Sequence, residues 1–253
     1  MKIIKHIAIV PVLALMTLTM NSCFIRISDE TKQELKDSFR NREMMAESVY
    51  GPNDSLVYAP GEFHALDAQI WVDIIFEQRD GEPEVVVKGT TRNRDSIRVE
   101  NIDGTLRIYY HNKAGVTFTQ DEYIKVYAPG LDEITRSGSG DLTVSGTLKG
   151  ESLAISKSGS GDMFIERCEI NGPVTLRKSG SGDMEASVKC LSMDVDASGS
   201  GDVFLSGEAT DATLKMNGSG DLDASKLKTA KVTVAKSGSG DITYMDEGVV
   251  KEL

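Results

Sequence analysis

Six aspartates recur through the second half of the chain, at Asp141, Asp162, Asp183, Asp202, Asp221 and Asp241, with spacings of 21, 21, 19, 19 and 20 residues. Each closes a Ser-Gly-Ser-Gly-Asp pentapeptide, and one copy, Asn217–Asp221, opens on Asn. Carboxylates in such a series could hold a cation, transfer protons, or accept hydrogen bonds from the amides of a tight turn. Proton transfer needs a carboxylate pair or a base set apart from its neighbours. Here the copies are equivalent and no position stands out. The histidines His6, His64 and His111 lie outside the repeats, and neither a Ser/His/Asp set nor zinc spacing is visible. No catalytic residue is assigned, no cofactor is called for, and the chain is expected not to be an enzyme; a polysaccharide-cleaving activity is the least favoured reading.

Glycine-rich repeats that end in Asp also occur in the nonapeptide calcium rolls, which makes the six aspartates weak calcium candidates. Those rolls repeat every nine residues and begin on Gly-Gly, whereas this period is about 20 and the motif lacks that start. The favoured reading is structural, with each Asp accepting from turn amides. Unit charges ~4.8 Å apart repel by ~0.9 kcal/mol per pair even in bulk water. Backbone N–H groups, cations or basic neighbours could compensate. Arg136, Lys157, Lys178 and Lys236 stand five residues before four of the aspartates, so a basic ladder beside the acidic one is the expected remedy.

Three cysteines offer other chemistry. Lys2 and Lys5 precede an apolar run of 14 residues, Ile7 to Met20, too short to span a bilayer of ~30 Å comfortably and suited to a cleavable signal. Met20-Asn21-Ser22-Cys23 follows and resembles the lipobox of bacterial lipoproteins, although Met20 stands where Leu is usual. The resemblance implies diacylglyceryl transfer to the Cys23 thiol, cleavage before it, and acylation of the new amino terminus by a fatty acid such as palmitate. Two or more acyl chains give stable anchoring at ~0.8 kcal/mol per buried CH₂. Cys168 and Cys190 fall in adjacent repeats at offsets that differ by one residue. An exported protein could oxidise them, but two buried thiols are the simpler outcome, and the sequence leaves both open.

The elements that carry these groups follow from the same alignment. One residue after each Asp stand Leu142, Met163, Met184, Val203, Leu222 and Ile242, and three after stand Val144, Ile165, Ala186, Leu205, Ala224 and Tyr244. Seven before stand Ile134, Ile155, Leu176, Val195, Leu214 and Val234. Nine before, Leu153, Val174, Met193, Ala212 and Val232 form a further column that only Asp132 breaks. Each unit thus holds two strands of period two and no helical stripe. A 20-residue unit cannot bury its apolar face alone, but stacked units can. The expected fold is an all-β, right-handed parallel β-helix of six coils, roughly 25–30 Å tall at the usual strand spacing. Its sharp corner is a glycine ladder of Gly138, Gly140, Gly159, Gly161, Gly180, Gly182, Gly199, Gly201, Gly218, Gly220, Gly238 and Gly240, where close backbone approach and positive φ are needed. Length differences fall in Thr147–Ser152, Asn171–Pro173 and Ser187–Cys190, expected as surface loops on the opposite edge.

Four regions result: a signal peptide over 1–22, a membrane tether over 23–55, β-rich opening coils or a cap over 56–135, and the β-helix over 136–253. In the third region strands are expected over 70–76, 84–88, 96–100, 105–110 and 123–127. A cap is needed because an uncovered edge invites aggregation. The single tryptophan, Trp71, fits cap core better than a ligand platform.

The β-rich start, the lead-in Tyr127-Ala-Pro-Gly-Leu-Asp-Glu-Ile134 and the repeated corners resemble the family called "putative auto-transporter adhesin, head GIN domain", over roughly residues 60–245. The resemblance implies a β-helical envelope protein and brings no catalytic residues. An autotransporter's C-terminal barrel has no counterpart before Leu253, so the lipid would be the anchor. The formal charge of −11, from 28 basic and 39 acidic residues, argues against nucleic acid and against docking on anionic lipid. The expected role is a lipid-anchored, non-catalytic, adhesin-like module of the cell envelope that meets a glycan or an envelope or host protein. The alternative is a structural or regulatory envelope component without a small-molecule ligand. Which membrane face carries the anchor is left open.

Overall fold

The computed structural model describes residues 55–113 and 122–253. The expected signal peptide, Cys23 and the tether through Asp54 lie outside the described residues. The rest is a β-solenoid. Its coils pair in parallel, and each contributes one strand to either side of a narrow interior.

On one side β8 (Glu133–Ser137), β10 (Leu153–Lys157) and β12 (Pro173–Lys178) stack in register, with Ile134 against Ile155 and Ile155 against Leu176. The column continues through the second halves of three long strands, β13 (Met184–Gly199), β14 (Val203–Gly218) and β15 (Leu222–Gly238), which place Val195, Leu214 and Val234 in the same row. On the other side β9 (Leu142–Gly150) and β11 (Met163–Ile170) stack below the first halves of those long strands, and β16 (Ile242–Asp246) ends the column. Ile155, Leu176 and Val195 are 2%, 0% and 0% exposed. The aliphatic columns therefore do pile into a dry core, and alternation along each strand leaves polar residues outside.

The edge opposite the glycine corner departs from expectation. Thr147–Gly150 belongs to β9 and Ser187–Cys190 to β13, so these segments are bent strand and not loop. Differences in coil length are absorbed as register shifts, between Ile165 and Arg167 and between Phe204 and Ser206. A bulge takes in an extra residue without giving up the ladder on either side of it. Glu151-Ser152 and Asn171-Gly172 leave the strands to turn.

The N-terminal region is both coil and cap. β2 (Ala65–Gln69) and β3 (Asp73–Gln78) form a coil directly beneath β8 and β9. Beneath that lie β6 (Thr105–Tyr110) and β7 (Tyr123–Ala128), which come later in the chain. Antiparallel strands close this end: β5 (Ile97–Ile102) on β6, β4 (Glu84–Lys88) on β7, and β1 (Ser55–Tyr58) on β4. The strand expected over 96–100 runs over 97–102 and follows a short helix, α1 (Thr91–Ser96), that the sequence pattern did not announce. The strand expected over 70–76 is split, because residues 70–72 turn the corner between β2 and β3. Trp71 packs on the core with its ring 5.2 Å from that of Tyr110.

Candidate binding surface along the aspartate corner

The corner is built by backbone contact. Gly159 has φ +94°, a left-handed value that a side chain would strain. A Cβ on Gly182 would overlap the carbonyl oxygen of Gly161 in the coil below. The other repeated glycines meet the same crowding against backbone of the neighbouring coil.

Each aspartate is stitched to its neighbours twice. The Asp162 amide donates to Asp141 Oδ1 at 2.7 Å, and the amides of Asp183, Asp202, Asp221 and Asp241 repeat this at 2.8–2.9 Å. In return the apolar residue after each Asp but the last donates its N–H to the Asp carbonyl one coil above, as Leu142 does to Asp162 at 2.9 Å, and Ile242 donates to the Leu253 carbonyl instead. The carboxylates thus serve as turn-amide acceptors. Among the described residues, no group of three His, Cys, Asp or Glu side chains is placed to hold a metal ion. Outward from the carboxylates, serine hydroxyls form a parallel row, with Ser160 and Ser181 Oγ 3.4 Å apart and Ser219 and Ser239 Oγ 3.3 Å apart.

A seventh rung escaped the sequence reading. The Asp141 amide donates to Asp73 Oδ1 at 2.9 Å, and the Ile74 N–H donates to the Asp141 carbonyl at 2.8 Å. The corner at Asp73 reads Ile-Trp-Val and not Ser-Gly-Ser-Gly, which hid it. The signal was in the flanking columns: Leu66, Ile74 and Phe76 stand at −7, +1 and +3 from Asp73, matching the apolar rows of the repeats.

The basic residues also differ from expectation. Arg136, Lys157 and Lys178 do not form an outer ladder; they are 2%, 2% and 1% exposed and lie inside the corner. The Arg136 guanidinium donates to the carbonyls of Ala68, Ile70 and Gly140. Lys178 Nζ donates to the Gly201 carbonyl. Lys157 Nζ is buried with no hydrogen-bond partner among the described residues. Strand alternation forces this, since five residues before the Asp is an inward position; Ala197 and Met216 fill it in two other coils. Only Lys236, in the last coil, meets an aspartate of the ladder directly, at 2.9 Å from Asp241. The backbone amides are therefore the main compensation for the stacked carboxylates. Burial pushes Lys157 and Lys178 below the usual lysine range, and Lys178 adds to the effect on Lys157. Burial also raises Asp141, against the lowering effect of the Asp162 amide.

Cys168 and Cys190 are free and buried. The register sets Cys168 against Val188, two residues short of Cys190, so no disulfide joins the neighbouring coils. Burial pushes the Cys168 thiol up to about 12 and that of Cys190 to about 11, so both stay protonated.

The family profile described as "Putative auto-transporter adhesin, head GIN domain" matches residues 62–251, which takes in all seven rungs and the cap apart from β1. The chain belongs to this family. Solved structures share the GIN-domain fold. A "putative adhesin" from Bacteroides fragilis has a TM-score of 0.62 at 21% identity, covering 77% of this chain and 98% of that one. A "putative lipid binding protein" from Parabacteroides distasonis gives 0.61 at 19%, covering 78% and 98%. A "putative adhesin" from Parabacteroides merdae gives 0.53 at 15%, covering 78% and 98%. No curated protein sequence matches. Among the described residues of this GIN-domain chain, no helix is long and apolar enough to cross a membrane.

Proposed function

We propose that this chain is a non-catalytic binding module of the cell envelope, tethered by lipid at Cys23, which presents the aspartate corner to a repeating polar ligand such as a glycan. The observation that carries the reading is the periodicity of that face. Each coil repeats one carboxylate and one hydroxyl at strand spacing, and Oδ1 of each carboxylate below the last rung is held by an amide. The groups are therefore fixed before a ligand arrives, which lowers the cost of ordering them. A polymer with its own repeat can engage several rungs at once and gain avidity without a deep pocket. The adhesin names of the family and of two structural neighbours agree with this role. The carboxylates recur in one amide-held arrangement, whereas acid–base chemistry needs a carboxylate pair or a base set apart from its neighbours, which supports a non-catalytic reading.

The test has two arms. Cys23→Ser should move the chain from the membrane fraction to the soluble fraction; persistence in the membrane would remove the lipid anchor from the proposal. On glycan and matrix arrays the full chain should bind a discrete set of polymers, and Asp183→Ala with Asp202→Ala should weaken that binding about tenfold or more. Uniformly blank arrays would instead favour a structural envelope component.

A further inference from the structure

The two ends of the solenoid are finished differently. Antiparallel strands close the N-terminal end. At the other end, β16 pairs with β15 only over Leu222–Ala224, and β17 (Val249–Glu252) pairs back on β16. From Ser225 to Gly238, β15 is bonded to β14 on one side and, among the described residues, carries no strand on the other. Val232 continues a row buried from Leu153 to Ala212 and Val234 one buried from Ile134 to Leu214, yet both are only half-buried here, and Val249, Val250 and Leu253 at the same end of the chain are 52–60% exposed. The end of the column is an apolar step with an open row of backbone groups.

The charge of that edge is specific. Across the outer face the register aligns Lys149, Glu169, Lys189, Glu208 and Lys228, so the sign alternates from coil to coil. The alternation stops on a lysine. Lys231 likewise stands over Asp211, and Lys226 over Ser206. Between residues 225 and 238 there are four lysines and no acid, in a chain of net charge −11. The next rung that would continue both ladders is acidic. A second copy's β15 would bring like charges into register and be repelled, the usual use of edge lysines.

We propose that the open edge of β15 takes up an extended acidic segment of a partner protein as an added strand, with acids over Lys228 and Lys231 and small apolar side chains over Val232 and Val234. Main-chain bonds supply the attachment, and the lysines select the partner and its register. This surface is separate from the aspartate corner and does not depend on that reading.

The probe is a labelled peptide with the sequence of residues 226–235 in which glutamate replaces each of its three lysines. Titrated with the full chain, its anisotropy should saturate, and amides of residues 228–236 should gain protection from hydrogen exchange. The same peptide with lysines retained, or N-methylated on alternate residues in either phase, should bind about tenfold more weakly or worse. The full chain carrying Lys228→Glu and Lys231→Glu should exchange its preference and bind the lysine peptide, which also shows that the variant is folded. Equal binding of the N-methylated and unmodified peptides would overturn strand addition, because charge alone would then suffice. Absence of saturable peptide binding overturns it too, as does saturable binding of alginate with none of the peptide, which would assign the lysines to an anionic glycan.

Discussion

A single methyl group separates the glycines that shape the corner from those that do not. A Cβ on Gly182 has backbone on the coil below to displace, while one on Gly146 has nothing within 4 Å and faces only the strain of φ +75°. Gly146→Ala should therefore cost about 1 kcal/mol and Gly182→Ala about 3 kcal/mol or more, read by urea denaturation. Similar losses at the two sites would refute the contact account of the corner. Lys157 makes the opposite case, a residue that works against the fold. Its ammonium is buried without a partner among the described residues, and Met216 shows that a thioether fills the same inward position. Lys157→Met should stabilise the chain at pH 7 by about 1–3 kcal/mol. The folded state holds the lysine below its ordinary value of 10.5. Below the depressed value both states keep the proton and the folded state bears the cost. As pH rises from there toward 10.5 the folded state sheds its proton first, unfolding takes one up, and wild-type stability gains. The advantage of Lys157→Met should thus shrink from pH 8 to pH 10.5, and an advantage that grows would contradict the burial.

Strands stabilise one another to the extent that each has a neighbour on both sides. Leu176 has Ile155 below and Val195 above and is fully buried, whereas Val234 has Leu214 below and, among the described residues, no strand partner above. Leu176→Ala should cost about 2–5 kcal/mol and Val234→Ala about 1 kcal/mol or less, measured by thermal unfolding. The same two-sided pairing governed what could be read in the sequence. The columns of Ile134, Ile155 and Leu176 were legible because identical coils repeat one pattern six times, and repetition separates burial from chance. The rung at Asp73 was not, because its coil turns the corner on Ile70, Trp71 and Val72, which read as continuous strand. Nor was the inward course of Lys157 or Arg136, since charge suggested surface while alternation from Ile155 and Ile134 dictated the interior. Chain polarity won because a strand cannot reverse one side chain without slipping its register. Within the candidate surface, the aspartates and glycines were read from spacing alone. The double stitching of amide and carbonyl needed coordinates, since nothing in a pentapeptide says which coil receives its hydrogen bonds.

The whole molecule is not a simple winding from first residue to last. β2 and β3 are enclosed by β6 and β7 on one face and by β8 and β9 on the other. All four enclosing strands lie downstream of the coil they enclose. A chain that emerges amino terminus first therefore has its founding coil bare on both faces, and cannot seal it until about residue 144 has followed. From there each new turn needs only the turn before it. The segment from Ala65 to Val144 acts as a latch that must snap shut once, after which the column grows one way, like a ratchet, toward its carboxyl-terminal end. The strands of this segment that pair across coils must be kept from aggregating until that latch closes.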